Sequence, residues 1–552
     1  MRNKLKIGLL IDDYCVQAWE YDFVAEILNS EYSAIEAIIL QKKLTDNRMK
    51  KFPGNLMFRF HCRIDNLIFL SKHNYKEGKD IQNLIVKNKQ INLHSPGQAV
   101  SSGSNSDALR EISKLGLDII IKLGYGPVNE DLCGLSKYGL WSYPMTDCFS
   151  ESIDTTGYFE VIKKQPVIVS ELVARLTKGQ LPLVLARVTE ATCAYSVSLT
   201  REKLYRRASL FVPRTIRGLW QEGPDYLQKI ENRFGTNGLS LITQIPPPAA
   251  LKSFKNILKA GFILVQQVFK KIIYTDPFTW VLLYEMGNDN NFETNSYKDF
   301  QKLEPASDRF WADPFVVSTE DKYYVFVEEF LYKANKGHIA VLELDKNGQL
   351  LKTHKIIENP YHMSYPFVFQ RDKTYYMIPE TGGNRSIDLY RCTEFPLKWE
   401  FIKSIMKDIN AVDSTLFNHN GKWWLFTLID KIDSSLAVSP ELYLFWSDDF
   451  LSDQWTGHTM NPVVTDVRIA RPAGRIFSRD GKIFRPSQDC SGRYGNSFDI
   501  NQILALTCEV YEEKRILKVK PDWDKALKGT HTFNYHDGFT ILDVYNYRRR
   551  FI

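Results

Sequence analysis

The chain of 552 residues is short of the features that most quickly betray a function. Its eight cysteines (Cys15, Cys62, Cys133, Cys148, Cys193, Cys392, Cys490 and Cys508) form no CxxC pair and follow no metal-ligand spacing. That excludes a zinc module, and thiols scattered in this way predict a reducing compartment. No apolar run approaches the ~20 residues that span a bilayer. The apolar run after MRNKLK is five residues long and ends at Asp12-Asp13, which reads as a first strand and not as a signal peptide. A cytoplasmic protein is expected. Basic runs are lacking too: 71 Lys and Arg stand against 65 Asp and Glu, a net charge of +6, so nucleic acid is not an expected partner. No DxD-like nucleotide-sugar site stands out, since Asn288-Asp289-Asn290 reads as a loop.

Aromatic residues, by contrast, are plentiful at 13%, and Tyr and Trp concentrate in the second half. There a pattern repeats four times, with the strand positions Phe315, Phe367, Thr415 and Arg475 each followed eight residues later by Tyr323, Tyr375, Trp423 and Ile483. The second strands read KYYVFVEEF, TYYMIPETG, KWWLFTLID and KIFRPSQDC, starting 52, 48 and 60 residues apart. Short β-branched and aromatic strands at a period near 50 residues predict propeller blades. THTFNYHDGFTILDV (Thr530–Val544) is a weaker fifth copy, and FTWVLLYEM (Phe278–Met286) is a strand without a copy of its own. Five blades are therefore expected, closed by pairing the first and last strands of the repeat half.

The first half reads differently. LKIGLLI at 5–11, a helical pattern from Ala18 to Leu28, AIEAIIL ending at Leu40, a helix near Ser106–Leu115 and DIIIKL from Asp118 alternate strand with helix. That alternation predicts an α/β, Rossmann-like sheet. The expected domains are 1–241 for this unit, 242–274 for a connector and 275–552 for the propeller. The connector opens with Pro246 to Pro248 and continues as a basic amphipathic helix from Leu251 to Tyr274. Either it packs between domains, or it rests on a membrane surface near a lipid-linked substrate; the second option would make the protein peripheral to the inner face of the membrane.

In the first domain, Gly124-Tyr125-Gly126, then Gly139-Leu140-Trp141-Ser142-Tyr143-Pro144, then Leu176-Thr177-Lys178-Gly179 resemble the folate-dependent formyltransferases. That family moves protons with an Asn-x-His pair and an Asp. The matching positions here are Ser142, Pro144 and Thr177, none of which carries that chemistry. Asp147 and His94 are nearby substitutes in principle. The resemblance implies a retained fold serving as scaffold or binding surface, with reduced folate as an unlikely cofactor and no other cofactor or metal expected.

In the repeat half, the residue before each first strand is Asp313, Tyr365, Asp413 and Ala473. Trp311-Ala312-Asp313-Pro314-Phe315 resembles a segment of the five-bladed furanosidases and fructosidases, whose innermost strands present carboxylates to an axial pocket. The candidate acid/base groups are Asp313, Glu380 and Asp413, with Glu328, Glu329 and Asp430 alongside. Tyr365 stands where those hydrolases place a second Asp, which argues against hydrolysis. Arg471 and Arg485 are expected to hold an anionic group, and Arg309, Trp311, Gln488, Asp489, Tyr494 and His531 to line the pocket.

A broader resemblance rests on RFWADPFVV, SYPFVF, IPETGG, FRPSQDCSGRYG and GTHTFN. These are similar to the N-terminal region of plant glucosamine inositolphosphorylceramide transferase and its stand-alone bacterial relatives. The resemblance implies surface-glycan or glycolipid biosynthesis. The expected protein is a carbohydrate-active, transferase-type enzyme taking a sugar, nucleotide sugar or lipid-linked glycan. The alternatives are a non-catalytic glycan-binding partner of a glycosyltransferase, a sugar N-formyltransferase with an altered site, and a hydrolase-like propeller.

Overall fold

The computed structural model describes residues 2–42, 54–69, 77–94, 104–124, 128–144, 156–234, 262, 265, 278–287, 297–430 and 441–547. The connecting helix expected over 251–274 lies outside them apart from Phe262 and Val265, as do Asp147 and Asn288 to Asn290. The described residues fall into two compact units, divided between Phe234 and Phe278. No helix among them is long and apolar enough to cross a membrane.

The first unit is built on a seven-stranded sheet ordered Lys89–His94, Ser33–Lys42, Leu5–Ile11, Ile119–Lys122, Leu140–Ser142, Val167–Arg175 and Leu183–Ala191. The first five strands are parallel and the last two antiparallel, so the doubly wound sheet carries a hairpin at one edge that strand–helix alternation alone did not predict. Both faces are buried, as a parallel sheet requires. Ile7, Leu9 and Ile11 pack with Trp19 and Phe23 on one side, while Leu10, Ile39 and Ile120 pack with Ile112 on the other.

The second unit is a five-bladed propeller. Blade one runs Arg309–Ser318, Tyr323–Leu331, Lys336–Leu344 and Leu350–Ile357 from the inside outwards, and blade two Ser364–Arg371, Thr374–Glu380, Ser386–Glu394 and Lys398–Lys407. Blade three runs Ala411–His419, Lys422–Ile429, Glu441–Ser447 and Thr456–Gly457; blade four Arg471–Pro472, Lys482–Asp489, Ser497–Leu506 and Tyr511–Val519, with Phe477–Arg479 beside its second strand. Blade five takes its inner strands from the late segment, Phe533–His536 and Phe539–Tyr547, and its outer strands from the early one, Phe278–Met286 and Gln301–Leu303. Phe278 to Met286 pair antiparallel with Tyr547 to Phe539, so the strand without a copy is the one that closes the ring.

The innermost strands share one local device. In blades one to three the register shifts between Ala312 and Phe315, between Ser364 and Phe367, and between Val412 and Thr415. The residue that opens each bulge is Asp313, Tyr365 or Asp413, with φ of 51°, 44° and 51°. Positive φ is unfavourable for any residue with a Cβ, and it re-aims the side chain that adopts it. Blade four has Gly474 next to the equivalent position, with φ of 134°.

Candidate functional site in the propeller axis

The bulges gather Asp313, Tyr365 and Asp413 around the axis, where the second strands add Glu328, Glu380 and Asp543. Asp413 is held most tightly. Arg471 Nε donates to its Oδ2 at 2.5 Å, and Gln488 Nε2 donates at 3.4 Å. Arg471 also lies 4.0 Å from Glu380 Oε2 and spreads its guanidinium over the Tyr494 ring at 4.9 Å. Tyr494 is 45% exposed. The side chains of Arg471 and Glu380 are 21% and 17% exposed, against 2% for Asp413. The groups that meet solvent are therefore Tyr494, Arg471 and Glu380, with Asp413 beneath them.

Burial raises the pKa of Glu380 well above the carboxylic range. The charge of Asp413 and the hydrogen bond with it push the same way, and Arg471 only partly opposes them. Two crowded carboxyls resist carrying two negative charges, which is the direction of this shift. Glu328 is raised as strongly by burial and by the charges of Asp313, Glu380, Asp543 and Asp413. Burial also lifts Asp313 to about 6; Asp413 and Asp543 add to the rise and His531 opposes it.

Asp313 sits in a second network. It accepts hydrogen bonds from Thr532 Oγ1 at 2.8 Å and from the Tyr365 amide at 3.3 Å, and its own amide donates to Asp543 at 3.0 Å. His531 Nδ1 lies 2.7 Å from Asp543, and its Nε2 lies 3.4 Å from Asp313. The imidazole stacks on Trp280 at 4.0 Å and meets the edge of Tyr494 at 5.3 Å. Among the described residues, Asp313, His531 and Asp543 form the one grouping compact enough for a metal ion. Its atoms are already committed to these hydrogen bonds, so the group reads as a relay between side chains.

Tyr365 fills the axial position of blade two without offering a charge. Its hydroxyl accepts the Gly474 amide at 2.8 Å and shares a hydrogen bond with Thr415 Oγ1 at 2.9 Å. It is a strut across the ring.

Other expected site residues face elsewhere, for a reason strand geometry supplies. Successive side chains of a strand point to opposite faces. Gln488 faces Asp413, so Arg485 and Asp489 face away from it. Arg485 is bound bidentately by Glu513 at 2.8 and 2.6 Å and donates to the Ile469 carbonyl at 2.7 Å, while Asp489 pairs with Lys518. The expectation that Arg485 and Arg471 jointly hold an anionic group is corrected: Glu513 occupies one guanidinium, and Asp413 neutralises the other. By the same alternation Glu329 turns from Glu328, accepting from Arg309 at 2.5 Å and from Trp311 Nε1 at 3.1 Å. Asp430 closes the second strand of blade three, its amide donating to the Asn410 carbonyl at 3.1 Å. Asp543 and Trp280 were not foreseen. The available signal for Asp543 was a single acid inside the apolar strand FTILDV, where a buried charge needs partners.

In the first unit, Ser142 is buried and accepts from Arg175, Pro144 is buried, and Thr177 stands exposed on a turn. Tyr143, between the first two, donates to the Ala208 carbonyl at 2.6 Å. No proton-carrying side chain occupies any of the three positions.

With the axial geometry in place, the comparisons can be set beside it. Residues 300–547 match the family model described as glucosamine inositolphosphorylceramide transferase 1, N-terminal. Glucosamine inositolphosphorylceramide transferase 1 of Oryza sativa subsp. japonica is 34% identical over 233 residues, covering 41% of this chain and 30% of that protein. The Arabidopsis thaliana protein of the same name is 32% identical over 228 residues, covering 41% and 29%. The chain thus spans about a third of the length of these relatives. Every axial residue described above except Trp280 falls inside the matched span. Among solved structures, an alpha-L-arabinofuranosidase from Podospora anserina overlaps 49% of this chain and 98% of its own at 11% identity, with a TM-score of 0.32.

Proposed function

We propose that the propeller binds the sugar portion of a glycolipid or glycan under assembly, with Tyr494, Arg471 and Glu380 at the mouth of its axial pocket. The reading rests on the chain Glu380–Asp413–Arg471. One carboxyl has its pKa raised by burial while still reaching solvent, beside another that an arginine holds in an ion pair. Pairs of carboxyls driven apart in pKa are the means by which a site supplies both an acid and a base near neutral pH. Glu380 is positioned to give its proton to an oxygen of the sugar, and Asp413 to stabilise positive charge developing on the ring. Asp313, which titrates near neutrality, is the second proton-handling group.

The ligand class follows from the same electrostatics. Five carboxyl groups (Asp313, Glu328, Glu380, Asp413 and Asp543) face Arg471 and His531. Burial first, and then the crowding of these acids on one another, raises Asp313, Glu328 and Glu380. An amino sugar brings the missing positive charge, and the relatives' name contains glucosamine. Transfer of such a unit in glycolipid biosynthesis is the activity this reading favours.

Thermal shift of the full chain tests it, against glucosamine and its N-acetyl form, nucleotide sugars, inositol phosphate and a reduced folate. A ligand that binds only the folded state raises the melting temperature. A shift with an amino sugar that disappears in Tyr494→Ala and weakens in Glu380→Gln is expected. Silence toward every sugar, or a shift indifferent to both substitutions, would sink the proposal, and a shift with folate alone would move the activity to the first unit.

A second reading has its own observation. Asp313 and Asp413 are nearly inaccessible and spend their oxygens on internal hydrogen bonds. That suits a propeller that binds a glycan for a separate glycosyltransferase. Tight sugar binding with no turnover unless a transferase is added would favour it.

A further inference from the structure

We infer that Asp543 and His531 form a positioning pair that acts through Asp313, fixing its place on the first strand of blade one and setting the charge its carboxylate faces. The inference rests on the axial pocket being the sugar site, and it assigns this role to two groups too deep to touch a ligand.

The geometry is specific. Asp543 Oδ1 accepts the backbone amides of His531 and Thr532, each at 3.0 Å, and lies 2.7 Å from His531 Nδ1, while Oδ2 accepts the Asp313 amide at 3.0 Å. Asp543 thereby ties three backbone amides and the imidazole to one carboxylate. It also fixes which imidazole nitrogen is protonated: Nδ1 donates to Asp543, which leaves Nε2 directed at Asp313. Trp280 stacked on one side and Tyr494 edge-on at the other hold the ring in that plane.

The charged groups around the pair come from four blades. Asp543 belongs to blade five, Asp313 and Glu328 to blade one, Asp413 to blade three, and Arg471 to blade four, with Tyr494 on the loop after the second strand of that blade. Burial opposes a charge on His531 and Arg471 repels it, yet Asp543 and Asp313 outweigh both and raise its pKa. An imidazolium 3.4 Å from Asp313 partly offsets the burial and the two neighbouring acids that raise the pKa of that carboxyl. Loss of His531 then leaves Asp313 protonated to higher pH, whereas loss of Asp543 lowers the His531 pKa and also removes one acid that raises Asp313.

The test has two arms. NMR titration of histidine-labelled full chain, with His531 assigned by its absence from His531→Gln, reads the pair without any ligand. In Asp543→Asn, His531 is expected to titrate at lower pH than in wild type; an unchanged titration overturns the inference. Because Asp543 also ties down three amides, a second variant guards against misfolding. Trp280→Leu keeps every hydrogen bond but frees the ring, and it too is expected to lower the His531 titration. The other arm measures amino-sugar affinity against pH. In His531→Gln the acidic limb of the profile is expected to move to higher pH with the plateau affinity kept. A uniform loss at all pH values would indicate a merely structural role and overturn the inference. If no sugar binds wild type while the titrations behave as stated, the pair stands and the sugar-site reading fails.

Discussion

Arg471 and Asp413, from blades four and three, form a 2.5 Å ion pair that is nearly sealed on the Asp413 side. Removing one partner of such a pair strands a charge. Arg471→Met is expected to destabilise the propeller by about 3–5 kcal/mol, because Asp413 is left buried without compensation. Arg471→Met combined with Asp413→Leu is expected to recover much of that loss. Urea unfolding of the three chains decides the matter, and a double variant no more stable than the single one would show that the pair is not the unit that matters.

Glu380 is predicted to behave oppositely. Burial and the charge of Asp413 already disfavour its ionised form, so the neutral amide of Glu380→Gln changes stability by less than about 1 kcal/mol. Its consequence appears in ligand binding. If an ammonium replaces the proton that Glu380 or Glu328 holds, amino-sugar binding releases protons. Calorimetric titrations at neutral pH in buffers of different ionisation enthalpy then give different apparent heats in wild type. The difference is expected to shrink in Glu380→Gln, and equal heats in all buffers for wild type would contradict the proton-for-cation exchange.

Much of this site could be read from the sequence, and the parts that could not share a cause. Asp313, Tyr365 and Asp413 were found because they recur at one register position, and register survives in a linear string. Asp543 was missed because it meets Asp313 across 230 residues, and only after Phe278–Met286 has closed the ring. Arg485 was misplaced by reading proximity to Arg471 along the chain as proximity in space. Its odd offset from Gln488 already placed it on the opposite face. In the first unit the core strands were legible from their apolar runs, whereas the antiparallel hairpin Val167–Ala191 carries no period that distinguishes it from a parallel pair.

Asp313 should leave a signature in the pH dependence of stability. Its pKa rises from 3.8 to about 6 on folding. A carboxyl raised on folding stabilises the fold fully below its unfolded pKa, and the contribution is lost as pH climbs through the folded value. Asp313→Asn removes that dependence. The stability of the variant relative to wild type is therefore expected to improve between pH 4 and pH 6.5, by at most roughly 3 kcal/mol at ~1.4 kcal/mol per pKa unit. Chemical unfolding of both chains across that range measures the difference, and parallel curves would mean that Asp313 ionises in the fold as it does in water.

The strut between Tyr365 and Gly474 offers the sharpest structural test. A Cβ built on Gly474 would lie 2.0 Å from the Phe533 carbonyl oxygen, and the residue's φ of 134° is one that side chains resist. Gly474→Ala must therefore move blade four away from blade five, and a cost above about 3 kcal/mol is expected. Tyr365→Phe leaves the backbone untouched but strips the Gly474 amide of its acceptor and Thr415 of one of its partners. Leaving a buried donor unsatisfied costs about 1–3 kcal/mol. If the strut works as a unit, the double variant loses less than the sum of the two singles, because displacing Gly474 already breaks the bond that Tyr365→Phe removes. Strict additivity in urea unfolding would show instead that Tyr365 stabilises the ring through its packing against Phe315 alone, whose ring it meets edge-on at 4.9 Å.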